Sequence, residues 1–180
     1  SIKNKIDKRQ FGSLKNSSTT HNLISLVHHL LKETDASKCA VRVFLLDFSK
    51  AFDLIDHNIL LHKLLELNVP PTIFNWIKSF LTGRRQCVKL GSWSSSWKVL
   101  NGGVPQGTVL GPVLFLVMIN DLLDEWPDRW KYVDDSTATE SVMVDCSSNL
   151  QDLVDYVYNW TVTNNMKLNV TKCKEMILDF

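Results

Sequence analysis

The run VRVFLLDF, residues 41–48, narrows the choice of fold more than any other segment of the chain. It is short, rich in β-branched and aromatic residues, and preceded by the loop DASK, so it reads as a mostly buried strand ending at Asp47. A carboxylate at the end of such a strand must be capped, paired or metal-bound to avoid a desolvation cost.

The elements around this strand follow from periodicity and turn chemistry. Thr19 to about Glu33 carries Leu23, Leu26, Val27, Leu30 and Leu31 at helical spacing. Asp56 is placed to cap a helix bearing Ile59, Leu60, Leu64 and Leu65, and a second helix starts near Pro71 and stops at Gly83. Arg84 to Asn101 reads as a hairpin with CVKLG and WKVL as arms. After the turn-rich loop GGVPQGTVLGP, Pro112 at a first helical position opens an apolar helix to about Glu125. WKYV and STATESVMV are two strands joined tightly at Asp134 and Asp135. Ser148 with Gln151 forms a capping box for a helix carrying Leu150, Leu153, Val154 and Val157, and EMILDF is the last strand. Residues 1–18 are polar and basic, with no element assigned. From residue 41 the order is strand, helix, strand, strand, helix, strand, with two helices and a hairpin inserted after the first strand. That is the α+β, split βαβ or ferredoxin-like order.

Composition excludes several function classes. With 180 residues, 44% hydrophobic, 22% charged and a net charge of +1, the chain is an ordinary globular domain with no global electrostatic case for a nucleic acid or a membrane partner. The longest apolar run, Val113 to Ile119, is too short to span a bilayer. Cys39, Cys87, Cys146 and Cys173 form no CxxC pair, which argues against zinc and fits an intracellular compartment.

The chemistry is carried by carboxylates. In a split βαβ sheet the first strand and the central hairpin are neighbours, so Asp47 and the Asp134/Asp135 pair converge. Clustered carboxylates repel, with raised pKa values, unless a divalent cation neutralises them, and Mg²⁺ favours a few carboxylates plus phosphate oxygens. The implied reaction is two-metal displacement at phosphorus.

The strings FLLDFSKAFD (44–53), GVPQGTVLGPVLFLVMINDL (103–122), KYVDDST (131–137) and NNMKLNVTKCKEM (164–176) closely resemble, in order, the palm motifs of reverse transcriptases. Their variants are similar to the non-LTR, LINE-type retrotransposon branch, and QFGSLKNSSTTHNL (10–23) is similar to a segment upstream of the first palm strand there. The resemblance implies a fragment covering the palm and part of the fingers: 1–40 partial fingers, 41–53 palm, 54–103 a fingers-like insertion and 104–180 palm. It implies that Asp47, Asp134 and Asp135, with the backbone carbonyl of Phe48, hold two Mg²⁺ ions, Mn²⁺ being a substitute. Phe52 corresponds to the bulky residue that crowds the sugar 2′ position, and Gln106 and Gly107 to residues lining the nucleotide pocket. Lys172 matches a lysine suspected of protonating the leaving pyrophosphate, with Lys167 and Lys174 as alternatives.

The expected partners are an RNA template, a DNA primer and deoxynucleoside triphosphates, without a membrane, and the expected location is cytoplasmic and nuclear. Arg84, Arg85, Lys89 and the Lys3, Lys5, Lys8, Arg9 cluster are read mainly as solvated surface. Trp76, Trp93, Trp97 and Trp160 are read mainly as core. Two rival readings stand: a catalytically inactive retrotransposon-derived fragment that binds nucleic acid or a partner, and a relative of telomerases or intron maturases.

Overall fold

The computed structural model of the chain describes residues 2–37, 39–143 and 146–179. The elements in order are α1 (Thr19–Ser37), β1 (Cys39–Leu46), α2 (His57–Glu66), α3 (Pro71–Leu81), the short strands β2 (Arg85–Gln86), β3 (Lys89–Leu90), β4 (Trp93–Ser94) and β5 (Lys98–Val99), then α4 (Leu110–Met118), β6 (Arg129–Tyr132), β7 (Asp135–Met143), α5 (Leu150–Thr163) and β8 (Lys174–Leu178). The main sheet has the order β6-β7-β1-β8, with every pair antiparallel. β7 therefore lies between β1 and β6, which is the split βαβ arrangement expected from the element order.

β1 is apolar apart from Arg42, which pairs with Glu175 of β8, because most of both its faces is covered. Val41 and Val43 pack with Leu30 of α1, whereas Phe44 and Leu46 join a cluster with Leu60, Leu64, Leu114, Phe115, Leu153 and Val157 from α2, α4 and α5. Alternation along the pleat sends neighbouring side chains to opposite layers, so a strand between two layers needs apolar residues at both parities.

Several local readings hold in detail. Asp56 caps α2, its carboxylate accepting from the Asn58 and Ile59 N–H groups, and Pro71 opens α3. Others are corrected. The helix α4 begins at Leu110 rather than at Pro112, because the Thr108 hydroxyl accepts the Gly111 N–H at 3.1 Å and starts the turn earlier. It ends at Met118 rather than near Glu125, and the Lys131 ammonium takes the Ile119 and Asn120 carbonyls that would have continued it. The capping box at α5 does not form. Glu140 accepts from Ser148 Oγ and the Asn149 N–H, each at 2.6 Å, and Gln151 turns instead to Asp155. In the hairpin, β2 pairs with β5 and β3 with β4, so Arg85–Gln86 rather than Cys87 lies opposite Lys98–Val99. The last strand starts at Lys174, and Val144 and Phe180 lie outside the described residues.

The polar N-terminal segment is part of the sheet. Lys131 N–H donates to the Arg9 carbonyl at 2.9 Å and Phe11 N–H to the Lys131 carbonyl at 2.8 Å, laying residues 9–11 as a strap along the outer edge of β6. Asp7 anchors it. Its side chain, 5% exposed, accepts two bonds from Arg129 at 2.8 and 3.0 Å and pairs with Lys131 Nζ at 2.8 Å. Burial alone would raise the Asp7 pKa, but the Arg129 hydrogen bonds and the Lys131 charge prevail and hold it at about 2. Burial pulls the Lys131 ammonium down, and Asp7 opposes that shift.

A carboxylate held below its ordinary value contributes stability that is complete above the unfolded pKa and is lost as pH falls through the folded one. Urea denaturation should therefore lose about 2 kcal/mol between roughly pH 4 and pH 2 through this group. Asp7→Asn should abolish that part of the acid dependence and cost about 3–5 kcal/mol at neutral pH, because it leaves Lys131 buried without its counter-charge.

Candidate active site

The register of the central strands sets the site. Leu46 pairs with Ser136, so one step further along each strand places Asp47 and Asp135 at the same end of the sheet. Asp134 precedes Asp135 in the two-residue turn Val133–Asp134, which joins β6 to β7 and closes on the pair Tyr132–Asp135. Asp135 thus belongs to the strand rather than to the turn. Val133 holds φ at +57°, a left-handed conformation that a β-branched residue seldom adopts.

The carboxylates sense one another. Burial raises the Asp135 pKa, and the charges of Asp134 and Asp47 raise it further, while Lys172 acts the other way. Among the described residues no three metal-ligating side chains are already gathered into a coordination shell. The three aspartates share one end of the sheet. Asp47 Oδ2 is nevertheless buried with no hydrogen-bond partner, an unsatisfied charged oxygen of the kind a cation would complete.

The segment after α5 folds over Asp47. The Asn169 N–H donates to the Asp47 carbonyl at 2.8 Å, the Ser49 N–H to the Lys167 carbonyl at 2.8 Å, and Cys173 Sγ lies 3.5 Å from the Asp47 nitrogen. Of the three lysines weighed from the sequence, this loop brings Lys172 to the site, with Nζ 4.0 Å from Asp47 Oδ1, and Lys174 is an exposed residue of β8. Phe48 is buried, forms a bridge to Leu168 and lies against Trp160.

Phe52, Gln106 and Gly107 are positioned by a lattice of bonds between residues 52–57 and 103–106. The Gly103 N–H donates to the Ile55 carbonyl at 2.7 Å, the Val104 N–H to the Phe52 carbonyl at 2.9 Å, and the Gln106 amide to Asp53 at 3.0 Å. Gly103 is obligatory, with φ at +78° and only 2.8 Å between an added Cβ and the Asp53 carbonyl. Around Gly107 the space is open, so what glycine supplies there is the φ of +76° rather than a close approach within the chain. Phe52 is half-buried and stacks on Phe115 at 4.5 Å, which fixes one face of its ring against the core.

The tryptophan reading is corrected for three of four side chains. Trp160 is buried, but Trp76 on α3, beside Phe80, is 58% exposed, and Trp93 and Trp97 are 81% and 59% exposed because the two-residue pairs of the hairpin have no layer above them. Arg85 lies over Trp97 and Arg84 over Phe80. Sequence reasoning missed Gln10, Gly12, Asp53, His57 and Cys173 as supports of this region. Gln10, Gly12, Asp53 and Cys173 fall within the strings that carry the family resemblance, but nothing local in those strings marks them as supports.

The reverse transcriptase (RNA-dependent DNA polymerase) family matches residues 1–178. The chain is similar to the RNA-directed DNA polymerase from mobile element jockey of Drosophila melanogaster, with 33% identity over 93% of this chain and 19% of that protein. It is 30% identical, over 92% of its length and 19% of the other, to the probable RNA-directed DNA polymerase from transposon X-element of the same organism. The chain thus spans about a fifth of the length of these curated relatives. Among solved structures, telomerase of Candida tropicalis in complex with a fragment of telomeric RNA superposes with a TM-score of 0.71 at 14% identity, covering 94% of this chain and 30% of that one. Telomerase of Candida albicans gives 0.67 at 15% identity, over 90% and 30%. At these identities the likeness is one of fold.

Crowded like charges predict that function and stability oppose each other at this site. In EDTA, Asp134→Asn should raise the melting temperature by a few degrees, corresponding to about 1 kcal/mol, as read by thermal denaturation beside the unmutated chain.

Proposed function

The chain belongs to the reverse transcriptase (RNA-dependent DNA polymerase) family, and from that premise we propose that it carries the palm of an RNA-directed DNA polymerase of a non-LTR retrotransposon. Residues 1–40 and 54–103 are assigned to the fingers side and residues 41–53 and 104–180 to the palm. The observation that carries this reading is the placement of Asp47, Asp134 and Asp135 at one end of the sheet, with Asp47 Oδ2 buried and unpartnered. Asp47, Asp134 and Asp135, with the Phe48 carbonyl, would hold two Mg²⁺ ions, or Mn²⁺ in their stead, which when bound lower the pKa of an attacking hydroxyl and neutralise phosphate charge.

The remaining roles fall to the chain itself. The substrates are a DNA primer annealed to an RNA template and a deoxynucleoside triphosphate, whose α-phosphate is attacked by the primer 3′ hydroxyl with pyrophosphate leaving. Phe52, held rigid on Phe115, presents a ring edge to the sugar and excludes a 2′ hydroxyl by bulk. Gln106 and Gly107 line the nucleotide pocket, the glycine through its positive φ. Lys172, on the loop that covers Asp47, donates the proton that pyrophosphate acquires as it leaves.

Primer extension on an RNA template with Mg²⁺ tests the assignment. Asp134→Asn/Asp135→Asn should reduce incorporation by roughly three orders of magnitude or more. Nucleic-acid binding by both forms with incorporation by neither would favour the noncatalytic reading. Phe52→Val should leave deoxynucleotide incorporation within a few-fold and reduce discrimination against ribonucleotides by about 10- to 100-fold, measured as the ratio of kcat/KM values.

A further inference from the structure

The strap along β6 ends on the turn that carries Asp134. Gln10 is 5% exposed, and its side-chain oxygen accepts two backbone bonds, from the Gly12 N–H at 2.7 Å and from the Val133 N–H at 3.0 Å. Val133 is the left-handed, β-branched residue of the turn. Such a conformation persists only where its surroundings over-determine it. Gly12 closes the other side: an added Cβ would stand 2.5 Å from both Val133 N and Val133 Cγ2. The strap itself is fixed by its backbone bonds to Lys131 and by the buried Asp7.

We propose that Gln10 is a positioning residue for nucleotidyl transfer: its carboxamide oxygen holds the strained Val133–Asp134 turn and thereby sets where Asp134 and Asp135 stand relative to Asp47. Gln10 does not touch the reacting atoms. It acts through the Val133 N–H, the one donor at the start of a two-residue turn whose direction decides where the next carboxylate points. Gly12 is its companion, since any side chain there would push the turn off the strap.

This inference rests on the polymerase reading above, and the test separates the two. The 180-residue chain is compared with Gln10→Leu, which removes the acceptor at similar size, with Gln10→Glu, which keeps an oxygen at the same reach, and with Asp134→Asn. Hydrogen exchange at the Val133 amide is read first and needs no activity. Gln10→Leu should accelerate it by about tenfold or more, while the central amides of β1 and β7 stay protected. In single-nucleotide extension, kcat should fall by about 10- to 100-fold, with KM for the nucleotide and the Kd for primer–template nearly unchanged. Gln10→Glu should restore most of both losses.

Unchanged exchange at Val133 in Gln10→Leu would overturn the proposal, whatever the activity. So would a kcat loss that merely follows the unfolded fraction and that Gln10→Glu does not rescue. Silence in extension from the unmutated chain and Asp134→Asn alike would overturn the polymerase reading and the catalytic part of the inference, and exchange would still decide whether Gln10 holds the turn.

Discussion

The burial of β1 on both faces is the constraint from which the rest of the arrangement follows. A strand packed by α1 on one side and by α2, α4 and α5 on the other tolerates charge only where it is paired across the sheet, as Arg42 is with Glu175, or at its ends. Asp47 occupies such an end, and antiparallel pairing with β7 brings a second acidic position to the same level. The hydrophobic layers and the acidic site are thus two aspects of one requirement. The layers fix the strands to within a residue, because a slip of one would turn every side chain to the wrong face, and that precision is what aligns carboxylates donated by distant parts of the chain.

Around this centre the fold spends stability on geometry. Three aspartates share one end of a sheet, one of them with an unpartnered oxygen, and a valine is held left-handed beside them. The compensation lies one strand away, where Asp7, Arg129 and Lys131 form a buried and well-bonded ionic group that pins the strap. On the other flank the loop over Asp47 and the lattice between residues 52–57 and 103–106 do the same for Lys172, Phe52 and Gln106. Strain at the site and rigidity beside it belong together.

Much of this was legible in the residues. The order of strands and helices, the Asp56 cap, the proline start of α3 and the neighbouring of Asp47 with Asp135 all followed from local patterns plus one topological rule. What escaped depended on contacts remote in sequence. The capping box at Ser148 failed because Glu140 of β7 draws the Ser148 hydroxyl and the Asn149 N–H to itself while Gln151 bonds Asp155, and α4 stopped early because Lys131 took its carbonyls. Residues 1–18 looked like a polar lead-in because one buried glutamine and one buried aspartate carry no periodicity; their partners lie more than a hundred positions away. The hairpin tryptophans were misread for the opposite reason, since aromatic content says nothing about whether a layer exists to cover it.

The strap also imposes an order of events on synthesis. Asp7 and Gln10 leave the ribosome ahead of their partners, since Arg129 and Val133 lie 122 and 123 residues behind them. At translation rates of about 5–20 residues per second, the strap waits roughly 6–25 s for the strand it edges. In that interval the first half of the sheet has β1 without either neighbour, since β7 and β8 are made later still. The contact that fixes the acidic turn therefore cannot form until both ends of that interval have been made, so the site waits on a segment synthesised well before it.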